Sequence, residues 1–208
     1  MTDDEAKATL AARVSRETME RLELYSDLLA KWQGTINLVA PSTLSQIWLR
    51  HMLDSAQVFD HLADTATRWI DFGSGGGFPG LVCAALAAEK RPDLQITLVE
   101  SDLRKGAFLR ETARQMGVRA GVLTRRVEDL QPANADVVSA RALAPLATLC
   151  RYALPHLAPN GICLFQKGAR YAEELETARQ DWQMDATAIA SVTDLEAVLL
   201  RLENLQHA

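Results

Sequence analysis

The feature that most constrains the fold is a glycine-rich run at residues 71–80, DFGSGGGFPG. It follows the apolar pair 69–70 and precedes an apolar run at 81–88 that has helical character. A strand, a glycine-rich turn and a helix start in this order form a cradle for a nucleotide cofactor. Glycine suits such a turn because it adopts positive φ and lets the backbone approach a ligand closely. A glycine-rich surface loop is the alternative, and five glycines within eight residues behind a buried strand disfavour it.

The spacing of the glycines separates two kinds of cofactor. A dinucleotide fingerprint, G-x-G-x-x-G, requires a third glycine at position 78, where this chain has Phe78. The chain instead has a G-x-G-x-G pattern led by Asp71, which resembles the first motif of S-adenosylmethionine-dependent methyltransferases. We therefore expect Asp71, Gly73 and Gly75 to face the methionine part of S-adenosylmethionine, with Gly77 and Phe78 at the rim of the pocket.

The composition indicates one good-sized domain of an ordinary globular protein: 208 residues, 48% hydrophobic and 24% charged. No apolar run approaches the length of a membrane span, and the first residues lack the basic start and apolar core of a signal peptide. Three cysteines without C-x-x-C spacing and four histidines without metal-ligand spacing predict a reduced, metal-free protein. We expect a cytoplasmic monomer that does not bind membranes.

Helical patterns dominate residues 1–64. Apolar residues at helical spacing predict one amphipathic helix that ends near Gly34, and Ser42 or Ser45 could cap a second helix that runs to His51. A third helix is predicted at 54–63. We therefore divide the chain into an N-terminal helical extension on the substrate side, residues 1–64, and a methyltransferase domain, residues 65–208.

Strand-like and helical runs alternate after residue 65, which predicts an α/β fold with a doubly wound, mostly parallel sheet covered by helices on both faces. Two final apolar runs have no helix between them and should pair as an antiparallel hairpin, which makes seven strands. The predicted strands are 69–72, 95–100, 121–127, 136–140, 161–166, 186–192 and 197–202, and the predicted helices are 80–89, 102–116, 146–157 and 170–181.

In open parallel sheets the ligand lies beyond the carboxyl ends of the strands. Glu100 ends the second strand, about 20 residues after the glycine turn, where an acid accepts hydrogen bonds from the ribose hydroxyls. The alternative is that Glu100 caps the helix that starts at Asp102. Val127 and Glu128 follow the third strand, where they could contact the adenine edge.

The end of the fourth strand, Ser-Ala-Arg-Ala at 139–142, excludes several methylation chemistries. It lacks the D/N-P-P-Y/F motif typical of amine methylation, and no cysteine stands at a strand end as the thiol nucleophile that methylation of a pyrimidine carbon needs. No general base is evident among the candidate residues. A ring nitrogen with a free lone pair, such as N7 of guanine, fits best, with catalysis by alignment.

Charge is distributed unevenly along the chain. Residues 101–170 contain eleven Lys and Arg against five Asp and Glu, whereas residues 171–208 contain two against eight. A local basic field can bind a polyanion even when the net charge is −5. A solvated surface is the common alternative for such a run.

Six segments occur in an order and spacing that resemble the bacterial RsmG (GidB) family: K-W at 31–32 with I-N-L at 36–38, H-M-L-D-S at 51–55, the glycine turn, R-V-E at 126–128, S-A-R-A at 139–142 and K-G at 167–168. This family methylates N7 of a guanine in the decoding region of 16S ribosomal RNA. The resemblance implies cofactor contacts at Gly73, Phe78, Val127, Glu128 and Arg141. It also implies that Arg141, Lys167, His51 and Asp54 orient the substrate in the active site, and that Asn37, Ser55, Arg126 and Lys167 contact RNA.

The sequence is also compatible with other interpretations of His51, Asp54 and the function. His51 and Asp54 stand three residues apart and could simply pair on a helix surface. A methyltransferase for a small molecule or protein would use the same cradle, but the basic middle and the N-terminal motifs argue against it. A non-enzymatic nucleotide- or RNA-binding module would not need the intact turn together with Glu100.

Overall fold

The computed structural model describes all 208 residues and contains one seven-stranded sheet. Its strands are β1 (Arg68–Phe72), β2 (Gln95–Val99), β3 (Ala120–Leu123), β4 (Ala135–Arg141), β5 (Leu157–Lys167), β6 (Trp182–Ala190) and β7 (Val198–His207). They are ordered β3-β2-β1-β4-β5-β7-β6. The first five strands are parallel, and β7 runs antiparallel to both β5 and β6. The predicted doubly wound sheet and its terminal hairpin are confirmed.

Helices cover both faces of the sheet because alternate strand residues are apolar on each side. The helices are α1 (Asp3–Ala11), α2 (Arg16–Gln33), α3 (Asp54–Phe59), α4 (Gly80–Lys90), α5 (Leu103–Met116), α6 (Leu146–Ala153) and α7 (Tyr171–Ala178). Trp69 packs with the N-terminal helices, α4 and α5, whereas its neighbour Ile70 packs with α6 and α7 on the other face. No helix combines the length and apolar character that crossing a bilayer requires.

The N-terminal helices differ from the prediction. The single expected helix is two, because the Ser15 hydroxyl accepts a hydrogen bond from the Thr18 N–H and starts α2 as an N-cap. The predicted second helix is a 3-10 turn over Pro41–Gln46 followed by a π-helical turn over Trp48–Leu53, which continues into α3. This π-helical turn places residues 50–54 against the end of β4, as described below.

Several predicted boundaries in the sheet domain were wrong: β5 and β6 each begin four residues earlier than expected, and β7 ends five residues later. The third strand ends at Leu123 rather than at Val127, because its only partner, β2, ends at Val99, which pairs with Leu123. The helix expected at 146–157 ends at Ala153, where a turn containing Pro155 leads into β5.

One hydrophobic cluster extends from Ala6 in α1 through α2 and α3 to α4, α5 and one face of the sheet. The N-terminal helices therefore share a core with the seven-stranded sheet. The division of the chain into two units at residue 64 stays a prediction, and the hydrophobic core is continuous between residues 1–64 and 65–208.

Candidate cofactor and acceptor site

The carboxyl ends of the parallel strands open into a cavity of about 820 Å³, a volume typical of small-molecule sites. Its wall combines most of the residues that the sequence predicted with the loop between β6 and β7. The predicted residues that line it are His51, Asp54, Gly73, Gly75, Phe78, Glu100, Arg126, Val127, Glu128, Arg141 and Lys167. Four predicted residues, Asn37, Ser55, Asp71 and Gly77, do not line it.

The glycine turn adopts a conformation that side chains disfavour. Gly73, Gly75 and Gly77 have φ of 63°, 54° and 100°. A Cβ atom on Gly73 would also lie 2.7 Å from the Leu143 side chain at the cavity wall. Glycine is therefore favoured at position 73 by its positive φ, and any side chain there would also displace the Leu143 methyl group.

Glu100 connects this turn to the end of β2. Its Oε2 accepts a hydrogen bond from the Gly75 N–H at 2.9 Å, and its Oε1 accepts one from the Asp102 N–H at 2.8 Å. Asp102 is itself the N-cap of α5, because its side chain accepts from the N–H groups of Arg104 and Lys105. Glu100 is therefore not the helix cap, and each of its oxygens can accept one further hydrogen bond.

The turn after β3 forms the neighbouring wall. Val127 is buried and Glu128 is exposed, and the Tyr152 hydroxyl donates to Glu128 Oε1 at 2.8 Å. The backbone N–H of Glu128 and the Tyr152 hydroxyl lower the pKa of the Glu128 carboxyl. Arg126 stands at the rim with 72% of its side chain exposed and its Nε 3.9 Å from Glu128 Oε2.

Arg141, at the end of β4, is held by residues of the π-helical turn and α3. One guanidinium nitrogen, Nη1, donates to the Arg50 carbonyl at 3.0 Å and lies 3.3 Å from Asp54 Oδ2. The other, Nη2, lies 2.7 Å from His51 Nδ1. The guanidinium also stands over the Phe78 ring, 5.1 Å from its centroid.

His51 is a buried, neutral side chain whose two ring nitrogens are both occupied. Because a guanidinium can only donate, Nδ1 accepts from Arg141, and Nε2 therefore carries the proton that it donates to the Thr43 hydroxyl at 2.7 Å. Burial, Arg141 and Arg50 lower the pKa of His51 to about 3. His51 has no free nitrogen with which to act as a base.

Asp54 is saturated with hydrogen bonds. Its Oδ2 accepts from Arg141 and from Gln166 Nε2, and its Oδ1 accepts from Gln57 Nε2 and the Thr193 hydroxyl. His51 and Asp54 do not pair with each other on a helix surface; both contact Arg141.

Lys167, at the end of β5, lies within the wall with 10% of its side chain exposed. Its Nζ is 2.6 Å from Glu174 Oε2 and donates to the Ala144 carbonyl at 3.2 Å. Glu174 also accepts from the Leu146 N–H, so the pair connects β5 with α6 and α7.

Asp71 lies beneath the turn, fully buried and outside the cavity lining. Its Oδ1 accepts a 2.6 Å hydrogen bond from the Ser139 hydroxyl, which in turn accepts from Trp69 Nε1. Burial raises the pKa of Asp71 to about 6. Ser55 is likewise buried, and Asn37 is exposed outside the cavity.

Sequence reasoning missed several residues of the wall. Arg50 forms a 2.7 Å ion pair with Asp194, which joins the π-helical turn to the β6–β7 loop across the cavity. Thr193 comes from the same loop. No sequence motif marks these residues, whereas Gln166 could have been found from its place beside Lys167 at a strand end.

Comparison with known proteins identifies the family of this chain. The family model for rRNA small subunit methyltransferase G (GidB) matches residues 18–202. Ribosomal RNA small subunit methyltransferase G from Jannaschia sp. is 56% identical over 97% of this chain and 95% of its own length. The protein of the same name from Cereibacter sphaeroides strain ATCC 17025 is 52% identical over the full length of both.

Solved structures show the same fold at much lower identity. The O-methyltransferase from Bacillus cereus, solved in complex with SAH, has a TM-score of 0.57 at 10% identity, and the alignment covers 86% of this chain and 90% of that one. M. jannaschii TYW2, solved in complex with AdoMet, has a TM-score of 0.56 at 12% identity, and the alignment covers 78% of each chain. Because the family model matches most of the chain and both relatives are more than 50% identical to it, this chain belongs to the rRNA small subunit methyltransferase G (GidB) family.

Proposed function

We propose that this protein transfers a methyl group from S-adenosylmethionine to N7 of a guanine in the decoding region of 16S rRNA. The observation that carries the proposal is the cavity at the carboxyl edge, where a glycine turn at positive φ and a buried strand-end acid face a wall of interlocked polar side chains. Family membership gives the substrate class, since the matched relatives are named for methylation of small subunit ribosomal RNA.

The residues present fit the cofactor. Gly73 and Gly75 line the cavity with backbone alone, and Glu100 has capacity for the two ribose hydroxyls. Val127 and Glu128 offer an apolar face and an acceptor for the adenine ring. When bound, S-adenosylmethionine supplies an electrophilic methyl group on a sulfonium.

The acceptor side of the cavity supports catalysis by alignment. Guanine N7 has a free lone pair, so no proton must be removed before it attacks. This suits a wall in which His51 is neutral with both nitrogens occupied and Asp54 is saturated. Arg141, Asp54 and Lys167 then orient the base and exclude water.

The RNA side of the proposal rests on the basic rim. Arg125, Arg126 and Lys105 line the cavity mouth, and phosphate groups flanking the target base would meet them there. The target base must leave its stack to reach the cavity. We also propose that the protein acts in the cytoplasm as a monomer without a metal.

Mass mapping of 16S rRNA tests this function. RNA from cells that lack the protein should lose one methylguanine, and expression of the wild-type chain should restore it, whereas expression of Gly73→Asp should not. An unchanged methylation pattern on deletion would contradict the proposal. In a reconstituted reaction, methyl transfer to a small molecule or protein instead of RNA would favour the alternative enzyme, and cofactor binding without any transfer would favour a binding module.

A further inference from the structure

One polar group of the N-terminal helices reaches the glycine turn from outside the cavity. Tyr25, on α2, is fully buried and does not line the cavity, and its hydroxyl donates a hydrogen bond to the Gly76 carbonyl. Its ring stacks on Phe78, with centroids 5.2 Å apart and planes 26° apart. A single side chain therefore holds both ends of the segment 76–78.

Backbone hydrogen bonds also hold this segment: the N–H groups of Gly77 and Phe78 donate to the Ser74 carbonyl, and the Gly77 carbonyl accepts from the Leu81 N–H. Gly76 and Gly77 have no side chains, and Tyr25 is the donor to the Gly76 carbonyl. A Cβ atom on Gly77 would lie 2.6 Å from the Tyr25 hydroxyl, so the turn is fitted closely against that oxygen. Gly76 itself lines the cavity, and its N–H has no acceptor within the protein. The direction of that free N–H depends on a residue that Tyr25 holds.

Through Phe78, Tyr25 is connected to the acceptor side of the cavity, where His51 and Arg141 lie. The Phe78 ring that stacks on Tyr25 lies 4.8 Å from the His51 ring and 5.1 Å from the Arg141 guanidinium. Tyr25 thus supports the one aromatic ring that touches both the glycine turn and the Arg141 network.

We propose that Tyr25 is a positioning residue for the cofactor. It acts through Gly76 and Phe78, and orders the turn so that the Gly76 N–H and the neighbouring backbone face the ligand. The N-terminal helices are then part of the cofactor site as well as of the substrate side. This inference rests on the proposed function, because it assumes that S-adenosylmethionine binds at the turn.

The variant Tyr25→Phe tests the proposal, because it keeps the ring and its stacking and removes only the hydroxyl. We expect calorimetry to show S-adenosylmethionine binding about five- to tenfold more weakly, the size of one lost hydrogen bond. KM for the cofactor should rise, while KM for RNA and kcat at saturating cofactor stay within about twofold.

Two further measurements separate positioning from a general loss of stability. Leu22→Ala, a fully buried change on the same helix, should lower the thermal midpoint at least as much while leaving cofactor affinity unchanged. In Tyr25→Phe, the N–H groups of Gly77 and Phe78, which donate to the Ser74 carbonyl, should exchange faster with solvent deuterium.

Wild-type affinity in Tyr25→Phe, or an equal loss of affinity in Leu22→Ala, would overturn the inference. Unchanged exchange at Gly77 and Phe78 would do the same. A wild-type chain that binds no S-adenosylmethionine would instead refute the proposed function. The two failures are therefore distinguishable.

Discussion

The two halves of the cavity use polar groups in opposite ways. In the half formed by the ends of β1, β2 and β3, backbone groups and Glu100 retain unused capacity for hydrogen bonds. In the half formed by β4, β5 and residues 50–54, the polar side chains bind one another: Arg141 with neutral His51 and with Asp54, and Lys167 with Glu174. The first half, called the open half, can still form hydrogen bonds with a ligand. In the second, called the satisfied half, the hydrogen-bonding groups of the wall already bond one another.

This difference indicates how binding and chemistry are divided. A site with unused donors and acceptors gains affinity when a ligand completes them. A wall of mutually bonded side chains gives shape and electrostatic direction and leaves no group free to move a proton. The predictions below test whether the two halves behave separately.

The largest effect is expected at the open half. Gly73→Asp places a Cβ atom against Leu143, in a backbone conformation with positive φ, and adds a carboxylate to the cavity. We expect cofactor affinity to fall at least about a hundredfold, or roughly 2.7 kcal/mol, measured by calorimetry. The control is Gly117→Ala, which also has positive φ but has open space around its Cβ and lies outside the cavity. Equal losses in both variants would mean that the effect is only backbone strain.

Arg141→Lys is expected to have the next largest effect, on the satisfied half. A compact ammonium cannot reach His51 Nδ1, Asp54 Oδ2 and the Arg50 carbonyl together, as the guanidinium does. We expect kcat to fall by about ten- to a hundredfold. Cofactor affinity should fall by less. A loss confined to cofactor binding, with kcat unchanged, would place Arg141 in the open half instead.

The dependence of folding stability on pH below 6.5 tests whether His51 stays neutral in the wall of the satisfied half. His51 stays neutral in the folded protein because its pKa is lowered to about 3, whereas in the unfolded chain it takes up a proton below about pH 6.5. Folding stability is therefore lost between these values as pH falls. His51→Gln should remove this loss, so that its free energy of unfolding, relative to wild type, rises by up to about 1.4 kcal/mol for each pH unit of acidification below 6.5.

Urea unfolding at several pH values between 4.5 and 7.5 measures this difference. Asp71, whose raised pKa of about 6 favours the folded state as pH falls, is present in both proteins and cancels in the comparison. Parallel curves for wild type and His51→Gln would show that His51 takes up a proton in the folded protein.

The smallest effect is expected at the rim. Arg126 is exposed, so Arg126→Ala should weaken RNA binding only about two- to fivefold and reduce its salt dependence, while cofactor affinity stays unchanged. Arg119→Ala, an exposed arginine at the opposite edge of the sheet, is the matched control and should leave RNA binding unaltered. An equal effect of both variants would indicate attraction by net charge and not a defined rim.

The open half could be predicted largely from the sequence, because its chemistry follows the chain locally. Glycine is the residue that adopts the positive φ of position 73 most readily, and Glu100 is fixed by its place at the end of β2. The direction of the Asp71 side chain was harder to predict, although the alternation of side chains along β1 puts it on the same buried face as Trp69. A strand-end position specifies the backbone and leaves the direction of the side chain open.

For the satisfied half, the sequence predicts which residues belong to the site but not which of them contact one another. Its contacts join segments far apart in the chain, such as Asp54 with Thr193 and Lys167 with Glu174, and no local pattern encodes such pairs. Packing also sets the π-helical turn that places residues 50–54 near Arg141, since Trp48, Leu49, Met52 and Leu53 of this turn are apolar and buried in the shared core.

The order of the last two strands has a consequence for how the chain matures during synthesis. β6 pairs only with β7, and β7 lies between β5 and β6. A growing chain that has reached residue 190 therefore has nowhere to dock β6, and the loop carrying Thr193 and Asp194 cannot yet lie across the cavity. Two segments far apart in the chain meet in this wall, Arg50 from the early part and Asp194 from the late part, so the site is completed only after β7 has emerged from the ribosome.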